Sequence, residues 1–162
     1  MTSKDTLMII SGGQTGVDRA ALDAALANGV ACGGWCPAGR KAEDGRIPEQ
    51  YPLRELGSAD YRQRTIRNVQ DSDATLIIHF GPLSGGTRLT FNTCAREGVP
   101  YLLIDGAVMH IDEAVQQVSA FVDRLQIRVL NVAGPRASNN PDARDYAFKV
   151  INSLLENVSN NS

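Results

Sequence analysis

Cysteine is scarce in this chain of 162 residues, with three thiols at Cys32, Cys36 and Cys94. An odd and small number of thiols cannot staple a chain of this length, so they read as reduced. Histidine is scarcer still. His79 and His110 stand alone in or beside apolar segments, and Cys32 and Cys36 have no second Cys/His pair to complete a tetrahedral site, so no metal ligands are expected. Long apolar runs are missing too: the stretch Ala74 to Phe80 is far short of the roughly 18 residues a membrane helix needs. Met1 to Asp5 leads into no signal-peptide core, and a cytoplasmic protein is expected. There is no excess of one charge, since 16 Lys and Arg face 18 Asp and Glu, for a net charge of −2 and a pI near 5.6. That balance excludes the basic footprint of a nucleic-acid binder, and neither nucleic acid nor a membrane is expected as a partner.

What remains is an ordinary globular composition, with 43% hydrophobic residues, enough for one core. The sequence predicts a single ligand-binding domain over 1–158 and a polar tail over 159–162. Strand-length apolar runs recur at Leu7 to Ile10, Thr75 to Phe80, Tyr101 to Ile104 and Ile127 to Val132, with a weaker one at Val30 to Trp35. Helical patterns separate them. Val17 to Ala27 shows an alanine-rich face, and Ser58 can cap a helix to about Gln70 with Tyr61, Thr65, Ile66 and Val69 inward and Arg62, Arg64 and Arg67 outward. Further helices run from Thr87 to Glu97, closed by Gly98, from Ile111 to Leu125, and from Asn140 as cap with Pro141 as first residue to Val158. This alternation predicts an α/β fold: a doubly wound, mainly parallel five-stranded sheet with helices on both faces.

Cys36 to Gly57 breaks the pattern, with three prolines, three glycines and no periodicity. A segment of this length is expected to be an ordered cover over a site. Two glycine loops point to that site. Ser11 to Gly16 follows the first strand and opens a helix, where backbone N–H groups and the helix dipole converge on an anion. Gly81 to Thr87 repeats the arrangement after the Ala74 to Phe80 strand. Neither the G-x-G-x-x-G fingerprint nor a Walker loop is met, which leaves the ligand class open. With a strand order of 2-1-3-4-5 the two loops would leave adjacent strands at the topological switch point. Arg19 and Arg88, in the first turns that follow, are candidate phosphate partners. Arg40 and Arg136 are further candidates to close over an anion, and Trp35 to stack on a ring.

The runs GGQTGVDRAALDAA, GGWCPAGRKAEDG, YRQRTIRNVQDSDATLI, SGGT and LNVAGPRAS, in this order, resemble the molybdenum cofactor carrier family, itself similar to the lysine-decarboxylase-like cytokinin-activating hydrolases. The resemblance implies a Rossmann-like homo-oligomer that holds molybdenum cofactor, a pterin carrying a dithiolene-bound molybdenum and a terminal phosphate. Its partners by implication are molybdoenzymes or cofactor-synthesis proteins. The implied binding residues are Gly12, Gly13, Gln14, Thr15, Gly16 and Arg19 from the first loop, and Ser84, Gly85, Gly86 and Thr87, followed by Arg88, from the second. In the hydrolases a glutamate follows the loop threonine by three residues. Here that position is Thr90, which cannot shuttle a proton or stabilise an oxocarbenium ion as a carboxylate does. A non-catalytic carrier is therefore expected. The alternatives are a nucleoside-monophosphate hydrolase that uses Asp18, Glu43 or Asp44 instead, and a nucleotide-sensing domain.

Overall fold

The computed structural model describes residues 7–160. The segment before Leu7, including Met1 to Asp5, which is expected to lead into no signal-peptide core, lies outside them. The first strand, β1 (Met8–Ile10), turns into α1 (Val17–Ala27) and then β2 (Ala31–Gly33). The predicted loop follows, holding short strands β3 (Trp35–Cys36), β4 (Lys41–Ala42), β5 (Gly45–Arg46) and β6 (Arg54–Glu55). After it come α2 (Tyr61–Gln70), β7 (Ala74–His79), α3 (Gly85–Glu97), β8 (Tyr101–Asp105), α4 (Ile111–Leu125), β9 (Val129–Ala133) and α5 (Ala143–Asn160). The polar tail read over 159–162 thus begins as helix, and 161–162 lie outside the described residues.

The fold class is as expected, a parallel five-stranded sheet between two helical layers. Its strand order is β2-β1-β9-β7-β8, with every pair parallel. The order 2-1-3-4-5 is corrected: the last strand enters between the first and the third. Burial shows why. Ile9 and Ile10 of β1, Leu130 and Val132 of β9, and Leu76, Ile77 and Ile78 of β7 are all buried and take the centre. Ala31 on β2 and Tyr101 on β8 are exposed, as edge strands tolerate. One face is covered by α1, α5 and α4 and the other by α2 and α3. Ala20, Ala21, Ala24 and Ala25 are sealed between α1, the sheet and α5, where their small side chains permit close packing. No helix of the described residues is long and apolar enough to cross a membrane.

Three details depart from the sequence reading. The cap of α2 is Asp60, whose carboxylate accepts from the Arg62 amide at 2.9 Å, while Ser58 accepts from the Asp60 amide. Asn140 caps a turn through the Asp142 amide, and α5 starts only at Ala143. The buried face of α2 is polar, with Arg64 and Asn68 inward beside Val69. Asn68 faces loop backbone: it accepts from the Trp35 amide at 2.8 Å and donates to the Trp35 carbonyl at 3.0 Å. Apolar periodicity cannot register a helix face that packs on peptide groups.

The Cys36 to Gly57 segment is ordered around a small core of its own, made of Leu22, Cys36, Ala42, Ile47, Tyr51 and Leu53. Its organiser is Arg40, which is 5% exposed and donates to the carbonyls of Ile47, Leu53, Pro48 and Tyr51. The Tyr51 and Pro48 carbonyls also accept the Leu53 and Tyr51 amides, but those of Ile47 and Leu53 have no backbone partner among the described residues, and the guanidinium satisfies them. Arg40→Met should leave the Ile47 and Leu53 carbonyls unpaired and destabilise the protein by about 3 kcal/mol. Denaturant unfolding measures that loss, and limited trypsin digestion should show new cleavage confined to this segment.

Candidate functional site

A cleft of about 400 Å³ opens at the carboxyl ends of the central strands. Because β9 lies between β1 and β7, the two glycine loops form its sides and the segment after β9 forms its middle wall.

On the first side the lining residues are Gly12, Gln14 and Asp18, with Arg64 reaching across from α2. Gln14 is buried, and its side-chain oxygen accepts from the amides of Thr15 at 3.1 Å and Glu43 at 2.8 Å. Arg64 donates from Nη1 to the Gly12 carbonyl at 3.0 Å and lies 3.8 Å from the Asp18 carboxylate. Both side chains are about nine-tenths buried. A Cβ on Gly12 would sit 2.2 Å from Cδ of Arg64, so a glycine is what admits the arginine here. Burial raises the Asp18 carboxyl to about 6, against the opposing pull of Arg64 and of the Gln14 amide.

The second side is the turn into α3. His79 Nδ1 meets the Gly81 carbonyl at 2.7 Å, and Asp105 accepts from the Gly81 and Ala107 amides, which fixes the turn. Ser84 occupies the cap position of α3 without a side-chain cap bond. The amides of Gly85, Gly86 and Thr87 make no hydrogen bond among the described residues, so the positive end of a 13-residue helix is open to the cleft. Thr90 also lines the cleft, buried, with its hydroxyl donating to the Gly86 carbonyl at 2.9 Å.

The middle wall carries Asn131 from β9 and Arg136, Asn139 and Asn140 beyond it. Arg136 is half-buried and forms no ion pair or side-chain hydrogen bond among the described residues. Two contacts hold this wall against the first loop. Gly16, at φ 83°, lets the chain pass the Pro135 carbonyl, which would come within 2.4 Å of any Cβ there. Thr15 accepts from the Ala137 amide and donates to Glu43, whose carboxylate accepts from the Ser138 hydroxyl at 2.6 Å.

Of the residues expected at the site, Gly12, Gln14, Ser84, Gly85, Gly86 and Thr87 line the cleft. Gly13, Thr15, Gly16, Arg19 and Arg88 do not. Gly13 faces Leu53 and Ile47, so a bulky residue there would damage the packing of the long segment instead of filling a ligand's space. Arg19 donates to the Gly13 carbonyl and pairs with Asp44 at 2.5 Å; Arg88 is exposed outside the cleft. Arg40 is spent inside its own segment, and no residue from Cys36 to Gly57 lines the cleft, so that segment buttresses the first loop and is not a cover. Trp35 is also elsewhere, sandwiched between Arg54 and Arg67 with its ring nitrogen on Asp71. Arg136 is in place. Asp18, named above as an acid or base of the hydrolase alternative, lines the cleft, and the residues missed were Arg64, Asn68 and Asn131; polar residues inside buried elements were the available signal. Glu43 and Asp44 fail as acid or base candidates. Burial opposes ionisation of Glu43, but hydrogen bonds from Ser138 and Thr15 outweigh it, and Arg19 likewise lowers Asp44.

Comparison with known proteins agrees with this architecture. Residues 9–155 match the circularly permutated YpsA SLOG family. A Syntrophus aciditrophicus protein of known crystal structure, named "putative molybdenum carrier protein", is 42% identical and superposes with a TM-score of 0.91, covering 96% of this chain and 97% of its own. No curated protein matches the chain.

Asp18 should leave a measurable pH signature. Its folded value near 6 stands above the ordinary 3.8, so the folded state binds the proton more tightly. That contribution to stability is complete below about pH 3.8 and is lost as pH rises through about 6, for a total of about 3 kcal/mol. Denaturant unfolding of the wild type and of Asp18→Asn from pH 4 to pH 8 checks this: the difference between them should move against the wild type as pH rises. A parallel pair of curves would disprove it.

Proposed function

The chain belongs to the circularly permutated YpsA SLOG family, and from that premise and the cleft's geometry we propose that it binds, shields and hands on molybdenum cofactor without turning over nucleotides. The observation that carries this is the open head of α3: three successive amides, Gly85 to Thr87, face a half-enclosed cleft of about 400 Å³ with mixed polar and apolar lining. Such an end takes a phosphate through its N–H groups and dipole, and Arg136 on the neighbouring wall adds positive charge. The remaining depth, lined by Gln14, Asn131 and Asn139, suits a flat heterocycle rich in donors and acceptors. The name of the Syntrophus relative supports the same ligand. Localisation in the cytoplasm, self-association and delivery to molybdoenzymes or cofactor-synthesis proteins belong to this reading.

Retention without chemistry rests on Thr90, which stands where the similar hydrolases place a glutamate and whose hydroxyl is already spent on the helix backbone. One observation favours the hydrolase reading instead. Asp18 lines the cleft with a carboxyl raised to about 6, a value suited to proton transfer near neutrality.

One experiment separates the two. Purified protein is incubated with molybdenum cofactor and, in parallel, with a panel of nucleoside monophosphates. The carrier reading expects stoichiometric binding, a longer cofactor half-life, affinity that falls with rising salt, and roughly tenfold weaker binding of the dephosphorylated cofactor. Release of free base above the uncatalysed rate, with no gain in cofactor lifetime, establishes the hydrolase.

A further inference from the structure

The Asp18 and Arg64 pair has more hydrogen-bonding capacity than the protein uses. Arg64 makes two hydrogen bonds, Nη1 to the Gly12 carbonyl at 3.0 Å and a long one from Nε to the Tyr61 carbonyl at 3.4 Å, and its guanidinium lies over the Tyr61 ring. Its Nη2 has no acceptor among the described residues, yet no sealed side-chain nitrogen or oxygen among them lacks a partner, so Nη2 faces the cleft that Arg64 lines. Asp18 has only backbone amides for hydrogen-bond donors, that of Gln14 at a long 3.4 Å and that of Gly12, although a carboxylate offers about four acceptor positions. The two groups stand 3.8 Å apart, too far for a hydrogen bond to each other. Burying such a pair contributes little to stability, so its partial satisfaction calls for a ligand. Opposite charges side by side leave little net charge, which suits a neutral polar edge better than an anion. The phosphate end proposed at α3 lies on the other side of the cleft.

We infer that this pair reads the lactam edge of a 2-amino-4-oxo heterocycle: Asp18 accepts from the ring N–H and the exocyclic amine, and Arg64 donates to the ring carbonyl. A donor beside an acceptor is the complement of a carbonyl beside an N–H. The inference deepens the carrier reading and rests on it for the phosphate. Pterins and guanines share this edge, and the test distinguishes them.

Binding is measured by calorimetry for two matched pairs, 6-hydroxymethylpterin phosphate against 6-hydroxymethyllumazine phosphate, and guanosine against inosine 5′-monophosphate. Within each pair only the 2-amino group and the ring positions tied to it differ. The pterin should bind roughly tenfold or more tightly than the lumazine, because the latter turns a carbonyl oxygen toward the carboxylate. Asp18→Asn, checked for folding by circular dichroism, should abolish that preference. Equal binding of pterin and lumazine phosphates by the wild type overturns the inference while leaving the carrier reading intact, and so does a preference that survives in Asp18→Asn. Preference for guanosine over inosine monophosphate, with no binding of either pteridine phosphate, supports the edge reading and removes the carrier reading. Failure of all four compounds to bind overturns the inference, and the carrier reading then stands or falls on binding of molybdenum cofactor itself.

Discussion

The arrangement of the cleft depends on β9 lying in the middle of the sheet. Its pairing with β1 on one side and β7 on the other sets the glycine loops one strand apart, so the carboxyl end between them becomes a wall with Asn131 and Arg136 on it. Had β1 and β7 been neighbours, the loops would have met over a narrower crevice with no third contributor. The insertion demands close approach, and Gly16 meets it where the chain passes the Pro135 carbonyl. Thr15 and Glu43 then tie the wall to the first loop and to the long segment, so hydrogen bonds join three separate stretches of sequence.

The arginines divide by what their guanidinium groups already hold. Arg40 and Arg19 are consumed by loop carbonyls and by Asp44, and they stabilise the buttress beneath the first loop. Arg64 and Arg136 keep donors open to the cleft. The distinction matters because a guanidinium pinned by several carbonyls has no capacity left for an anion, however basic the sequence looks nearby. It also explains why the long segment, rich in charge and glycine, serves the site indirectly. It holds Gln14 through the Glu43 amide and Arg19 through Asp44, with no residue of its own against the cleft.

By itself the sequence determined the fold class, the order of the five main strands and five helices along the chain, and two of the cleft's sides. Those follow from local chemistry: apolar strand runs, the alanine face of α1, the Gly98 stop of α3, and glycines at two strand-to-helix turns are each written in a few consecutive residues. Most of the polar lining drawn from the loops, Gly12, Gln14 and Ser84 to Thr87, was legible for the same reason. Only the tertiary structure decided the strand order and the fate of individual charged side chains. Strand order depends on which buried faces pair at long range, and β1, β7 and β9 look alike in one dimension. Arg64 and Arg67 are three residues apart on one helix. One is buried against Gly12 while the other lies on Trp35 in solvent, because the partners that capture them come from the loop after β1 and from β3, far away in the chain.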